Sequence, residues 1–423
     1  MNPRDPGAHA GPDFLVIQLA RFGDLIQTKR LVASLRAEGR VHLLVDRSLA
    51  DLARLVYPGV EVHGLAAHGQ MARAAHGPDI LGRVHDDLEA VAAIPFHRVF
   101  NLNFSGMNFA LSAMFPPHAV RGYRQAAGQR LVDAWPAHVM RWTRSRAVAG
   151  INLVDVWGLY AGQPVPPEAV NPPAAPRGGG LGVVMAGQNA RRSLPPQVLA
   201  PLVQAAMGRA GRGPVTLLGS GAEGRAAREL AALLPGSLRG QVRNLVGRTN
   251  WSELVDVVGG LDLVLTPDTG TMHLAAHLGV PVLAFFLSSA WCHETGPYGL
   301  GHHVLQATLP CAPCLETAPC PHGVACRRAF AEQAVLRRVG GRGAGDLPAG
   351  CAFMASGFDG LGATFSAVAG EDALAGKRKG LRAWAADLAG VPGPEGGEPV
   401  DDEFRILERD WMLPQTLRGR AHE

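Results

Sequence analysis

The apolar positions of this chain recur in two modes, continuous short runs and helix-spaced stripes. FLVIQL (Phe14 to Leu19) is an almost unbroken apolar run, and beyond the polar stretch ARFGD the apolar positions take helical spacing through Leu25, Leu31, Val32 and Leu35. That order predicts a buried strand, a tight turn and a helix. VHLLVD (Val41 to Asp46), VEVHGL (Val60 to Leu65) and RVFNLN (Arg98 to Asn103) repeat the strand pattern, with helical stretches between them. Runs apolar on both faces that alternate with helices predict a parallel sheet covered on both sides.

After Ala161 the chain enters GQPVPPEAVNPPAAPRGGG, which has neither periodicity and is read as a linker over 162–180. The alternation then restarts with LGVVMAG (Leu181 to Gly187), PVTLLGS (Pro214 to Ser220), LDLVLTP (Leu261 to Pro267) and PVLAFF (Pro281 to Phe286). Two doubly wound α/β domains are expected, over 14–161 and 181–339, with a disordered N-terminal segment over 1–13. Residues 340–423 turn glycine-rich and then offer helices near Glu371 to Leu388 and Phe404 to Trp411, so a partly helical extension is expected, packed back across the first domain. The length of 423 residues suits two cores better than one.

Composition narrows the function classes. Hydrophobic residues make up 47% and charged ones 18%, which suits packed cores rather than disorder. The net charge is only +4, and lysine occurs only at Lys29, Lys377 and Lys379, so the basic side chains are almost all arginines, suited to two-pronged phosphate contacts. No basic run with interleaved aromatics marks a nucleic-acid groove, and nucleic acid is excluded as a partner. The first dozen residues lack the apolar core of a signal peptide, which predicts a cytoplasmic protein. The longest apolar stretch, Leu278 to Trp291, falls short of the roughly 18 residues of a membrane span, so any membrane contact is expected to be peripheral.

Three segments carry candidate chemistry. In LTPDTGTMHLAAHLGVPVLAFF (Leu265 to Phe286) a buried strand leads through Asp268 into a helix whose first amides, at Thr269, Gly270 and Thr271, suit a diphosphate. Asp268 equally suits the role of helix cap. LLGSGAEGRAA (Leu217 to Ala227) holds a G-x-G-x-x-G after a strand, but no acidic residue follows the next strand VRNLVG to bind a dinucleotide ribose. Cys311, Cys314, Cys320 and Cys326 form a C-x2-C-x5-C-x5-C array, able to close a tetrahedral zinc or iron site or to remain four reduced thiols.

DTGTMHLAAHLGVP resembles the signature D-[ST]-G-x-x-H-x-A-x-x-x-G-x-P of glycosyltransferase family 9, the heptosyltransferase family. FLVIQLARFGDLIQT and GQNARRSLPP resemble that family's N-terminal Gly-Asp turn and its basic segment, in the same order. The resemblance spans about Phe14 to Val339. It implies the GT-B fold, two Rossmann-like domains facing a cleft, and an inverting transfer of a sugar, heptose from ADP-heptose, to the lipopolysaccharide inner core.

By the same resemblance Asp24 is the general base, on a loop at the carboxyl edge of the first sheet. Arg192 meets the donor diphosphate, with Arg191 as the alternative. Gly187 and Gln188 lie along the nucleotide, Glu223 at the ribose and Thr249 near the base. Asp268, Thr269, Gly270 and His273 face the sugar and phosphates. No Asp-x-Asp follows a strand, so no cofactor or metal is required for catalysis, while at the cysteine array a structural zinc or iron and four reduced thiols both stay open. The implied partners are a nucleotide-sugar donor and a lipid-linked core oligosaccharide on the cytoplasmic face of the inner membrane. The acceptor would be met by loops such as Ala66 to Pro78 and Arg121 to Arg146.

Four positions depart from the pattern: Arg192 replaces lysine, Leu194 tryptophan, Ala20 serine and Leu287 glycine. The alternatives are a protein O-heptosyltransferase, a family transferase with another donor, or a non-catalytic nucleotide-sugar-binding protein.

Overall fold

A computed structural model describes residues 11–67, 88–186, 190–211, 213–315, 318–343 and 345–407. The chain divides into two compact units: Met1–Arg144 with Val156–Pro164 and Asp401–Glu423, and Ser145–Asp155 with Val165–Val400.

The first unit holds β1 (Asp13–Gln18), β2 (Arg40–Asp46), β3 (Glu61–Leu65), β4 (Arg98–Asn101), β5 (Val120–Ala126) and β6 (Gln129–Val132). Their order is β3-β2-β1-β4-β5-β6. The first five are parallel and β6 returns antiparallel to β5. β1 is buried at every position after Asp13, as expected of an apolar run covered on both faces. Leu15, Ile17, Leu44, Val99, Phe115 and Val120 form the core, each contributing about 1.5–3 kcal/mol on burial. Strand order reverses between β1 and β4, the place where open α/β sheets bind ligands beyond their carboxyl ends.

The β5–β6 hairpin corrects the expectation of a variable loop from Arg121 to Arg146, which also carries the helix Ala134–Trp142. Its two-residue turn, Ala127 and Gly128, has φ of 47° and 76°, the sense that matches strand twist. Most of the other expected acceptor loop, Ala66 to Pro78, lies outside the described residues, as do residues 1–10 of the expected N-terminal segment.

The second unit holds β7 (Leu181–Val184), β8 (Val215–Leu218), β9 (Val242–Asn244), β10 (Leu263–Thr266), β11 (Val282–Phe286), β12 (His303–Ala307), β13 (Cys351–Phe358) and β14 (Ala363–Ala369). The order is β14-β13-β12-β11-β10-β7-β8-β9, parallel from β9 to β12, with a second reversal between β7 and β10. β13 and β14 join antiparallel, so the sheet continues into the region expected to be an extension from residue 340. Small side chains in CAFMASGF and ATFSAVA hide these strands from a reading that looks for bulky apolar runs.

The tail, expected to pack back across the first domain, is divided between the units, with Asp401–Glu423 in the first and the part before it in the second. The helix Ala375–Ala389 belongs to the second unit, where Arg382 clamps Asp359 at 2.8 and 2.6 Å and Arg378 donates to the Ala147 carbonyl. At the second expected helix only a short 3-10 turn, Asp402–Arg405, is present, and residues 408–411 lie outside the described ones. In the first unit, Trp142 Nε1 donates to the Phe404 carbonyl at 2.8 Å. The later part of the expected linker is packed chain: Asn171 donates to the Tyr298 carbonyl, and Asp262 accepts from the amides of Gly178 and Gly180.

Candidate active site

The signature segment sits at the carboxyl end of β10, beside the second reversal point. The residue that caps the helix Gly270–His277 is Thr269, not Asp268: its extended backbone lets the hydroxyl accept from the Met272 amide at 3.3 Å. The first intrahelical bond runs from the His273 amide to the Thr269 carbonyl. The amides of Gly270 and Thr271 therefore precede the helical ladder at its positive end. The helix closes in a Schellman turn, with Gly279 at φ 69° and amides of Gly279 and Val280 bonded to the carbonyls of Ala276 and Ala275. A Cβ at Gly279 would stand 2.8 Å from the Pro172 ring, so this turn requires glycine on two grounds.

Because Thr269 caps the helix, the Asp268 carboxylate is available for side chains. Its Oδ2 accepts from Arg192 Nη1 at 3.2 Å and from the Thr295 hydroxyl at 3.1 Å, and His273 Nε2 stands 3.9 Å from Oδ1. Arg192 Nε donates to the Ser289 hydroxyl at 2.8 Å, which sets the plane of the guanidinium. The structure brings Arg192, Asp268, Thr269, Gly270 and His273 together in one unit. Arg191 takes a different course, donating to the Ala318 carbonyl and to Cys314 Sγ, so Arg192 is the arginine that reaches Asp268.

Glu223 and Thr249 follow β8 and β9 and lie at the same carboxyl edge. The Glu223 carboxylate accepts from the Ser220 amide at 2.6 Å and the Ser220 hydroxyl at 2.8 Å, which fixes the turn after β8. Gly187 and Gln188, expected along the nucleotide, lie outside the described residues.

In the first unit Asp24 is the third residue of the helix Phe22–Gln27, and its Oδ2 accepts from the Arg21 amide at 3.1 Å. The helix begins at Phe22 rather than Leu25, so the carboxylate reaches back to its entrance. It lines a pocket of about 610 Å³ at the carboxyl ends of β1 and β2, with Ala20, Asp46 and Ser48. Asp46, in the same pocket, accepts from the amides of Ser48 and Ala67. Burial pushes the Asp24 carboxyl up from its ordinary range, against the pull of the Arg21 amide and charge.

The four clustered cysteines are free thiols around a pocket of about 260 Å³. Among the described residues no three of these sulfurs lie within 4.8 Å of one another. The Cys314 amide donates to the Ser288 carbonyl and the Cys320 sulfur accepts from the Val324 amide. The described residues that could hold a metal are His42, Glu61 and His63, in the first unit. Among the described residues no helix is long and apolar enough to cross a membrane.

Residues 203–322, which include Glu223, Thr249, Asp268 and His273, match the family model of glycosyltransferase family 9 (heptosyltransferase). Over these residues the chain is similar to glycosyltransferase family 9. A stretch of 72 residues is 38% identical to lipooligosaccharide heptosyltransferase 2 of Haemophilus influenzae, covering 17% of this chain and 21% of that protein, about a fifth of the relative's length. The fold is that of the ADP-heptose lipopolysaccharide heptosyltransferase II of E. coli, with a TM-score of 0.52 at 17% identity over 77% of this chain and 99% of the other. An E. coli heptosyltransferase solved with ADP gives 0.51 at 17% identity, over 70% and 93%. The two sheets are thus those of the GT-B fold.

Around the family 9 signature the structure adds residues that no motif marks. Arg146 Nε bonds both Glu294 oxygens at 3.1 Å, and its Nη2 reaches the Ser289 carbonyl at 2.8 Å. Burial pushes the Glu294 carboxyl up, while the Arg146 hydrogen bonds and the charges of Arg146 and Arg192 oppose it. Ser289 thus joins the two arginines, its hydroxyl to Arg192 and its carbonyl to Arg146. Just before it Ser288 takes φ 61°, one position after the glycine-to-leucine departure at Leu287. Leu194, in place of tryptophan, is buried in the core of the unit.

Proposed function

We propose that this chain is an inverting heptosyltransferase that moves heptose from ADP-heptose to the inner core of lipopolysaccharide. The observation that carries the reading is the pairing of Arg192 with Asp268 beside the Thr269-capped helix, at the reversal point of the second sheet. A guanidinium and two helix-terminal amides suit the two phosphates of a nucleoside diphosphate. Asp268, oriented by Thr295 and His273, suits the hydroxyls of the sugar.

In the proposed reaction Asp24 takes the proton of the acceptor hydroxyl, and that oxygen attacks the anomeric carbon opposite the diphosphate. The new carbon–oxygen bond forms as the old one breaks, its electron pair passing to the diphosphate oxygen. A single displacement inverts the anomeric centre. Arg192 and the amides of Gly270 and Thr271 meet the charge that develops on the leaving group, so we assign no step to a metal ion or cofactor. The raised Asp24 carboxyl supports the role, since a stronger base accepts the proton more readily.

The acceptor in this reading is a lipid-linked core oligosaccharide, met by peripheral contact with the cytoplasmic face of the inner membrane. A structural zinc or iron at Cys311, Cys314, Cys320 and Cys326 would require their loop to draw the thiols together. The test is incubation of the purified chain with ADP-heptose and a heptose-deficient core acceptor, read by mass spectrometry. The expected product is the acceptor heavier by one heptose, with ADP released. Donor binding without transfer to any core acceptor would leave a nucleotide-sugar-binding protein, and transfer to a protein acceptor alone would replace the substrate.

A further inference from the structure

We propose that His42, His63 and Glu61 form a site for a divalent transition-metal ion, zinc by ligand type, at the amino-terminal edge of the first sheet. The register of β2 and β3 sets His42 beside Glu61 and Leu44 beside His63. Alternation along each strand then places His42, Glu61 and His63 on one face. Asp13 joins that face, since β1 pairs Asp13 with Arg40 and Leu15 with His42.

The donor atoms already converge. His42 Nδ1 lies 3.0 Å from His63 Nε2 and 3.5 Å from Glu61 Oε2. Two ligands of a tetrahedral zinc ion, with bonds of about 2.0–2.1 Å, stand roughly 3.3 Å apart, so a shift of a few tenths of an ångström admits the ion. The two rings are stacked 6° from parallel, and Phe96 packs edge-on against His42, which fixes their planes.

A carboxylate behind the ligand favours the ligating tautomer. His42 Nε2 stands 3.3 Å from Asp13 Oδ1, so the proton belongs on Nε2 and the lone pair on Nδ1 faces the site. This is the carboxylate–histidine–metal arrangement that orients a ligand and raises its basicity. When the ion binds, His63 carries its ring proton on Nδ1 and offers Nε2 to the metal.

The charges agree. Asp13 and Glu61 bring two negative charges and Arg40, 3.1 Å from Asp13 and 3.5 Å from Glu61, brings one positive. The net negative charge suits a cation. His42 is 2% exposed while the Glu61 side chain is half exposed, so the ion enters past Glu61. Three protein ligands leave a fourth position for water. The site joins the edge strand β3 to β2 at the end of the strands opposite the Asp24 pocket, and it is independent of the transferase reading.

The test uses tag-free protein with Cys311, Cys314, Cys320 and Cys326 replaced by serine, titrated with cobalt(II) and followed by visible absorption. The expected result is one equivalent bound with a four-coordinate spectrum and no thiolate charge-transfer band. His63→Gln is expected to lose at least tenfold in affinity. Asp13→Asn, which touches no metal, is expected to lose roughly 10–100-fold. Zinc should raise the melting temperature of the parent and leave that of His63→Gln unchanged. Equal affinity in His63→Gln, or no binding at all, overturns the site. Should the serine protein fail to fold, comparing the native chain with its His63→Gln variant in the same titration makes the same distinction through the cobalt spectrum.

Discussion

Arg192 Nη1 lies 3.2 Å from Asp268 Oδ2, a pairing between side chains 76 positions apart in the sequence. Ser289 holds the other side of the guanidinium, so the cation is oriented before any ligand arrives. Arg192→Ala should lower kcat/KM by about 10²–10³-fold and weaken ADP binding, because both the leaving-group contact and the Asp268 partner are lost. Arg192→Lys keeps the charge but not the fork, and should fall between them. Steady-state kinetics and ADP calorimetry on both variants check this, and unchanged ADP affinity in Arg192→Ala would remove Arg192 from the donor site.

Asp24→Asn should lower kcat by about 10²–10⁴-fold with ADP affinity preserved. The base acts only when ionised, and burial raises its carboxyl. Activity of the native chain should therefore fall with decreasing pH through a value above the ordinary carboxylate range. For stability the sign is opposite to that of a salt-bridged aspartate: the raised folded value favours folding below the unfolded value and loses that contribution as pH rises through the folded one. At neutral pH Asp24→Asn should be at least as stable as the native chain, checked by thermal unfolding.

The Arg146–Glu294 pair is mostly buried, with side-chain exposures of 20% and 17%. Removing one partner strands the other, so Arg146→Ala should cost about 3–5 kcal/mol. The double variant Arg146→Met with Glu294→Leu should cost less than Arg146→Ala alone. Denaturant unfolding of the three proteins decides it, and a double variant that loses more stability than Arg146→Ala would contradict the coupling.

Gly279→Ala places a Cβ against Pro172 at a left-handed residue. A loss of more than about 1 kcal/mol is expected, with ADP affinity falling only as far as the helix Gly270–His277 shifts. Stability equal to the native chain would contradict the two constraints assigned to this glycine.

Much of this was legible in sequence because it is local. The apolar runs of β1, β2, β7, β10 and β11 announce buried strands, and the resemblance to the signature marks Asp268, the helix after it and Gly279. What stayed hidden is tertiary or chemically quiet. Arg146 meets Glu294 across 148 positions, and neither lies in a motif. The choice of Thr269 over Asp268 as cap depends on backbone angles that two good capping residues in succession leave undecided. The β5–β6 hairpin turns on Ala127–Gly128 where Asn-Gly would have announced it, and in β13 and β14 alanine, glycine and serine interrupt the bulky apolar positions.

The central claim is that the Arg192–Asp268 site and Asp24 serve one displacement at an anomeric carbon. The most direct measurement is nuclear magnetic resonance of the product formed from ADP-heptose of known anomeric configuration, with ADP release followed in parallel. The account predicts one ADP per glycosidic bond and an inverted anomeric centre, both abolished in Asp24→Asn. A retained configuration, or unchanged turnover in Asp24→Asn, would contradict it.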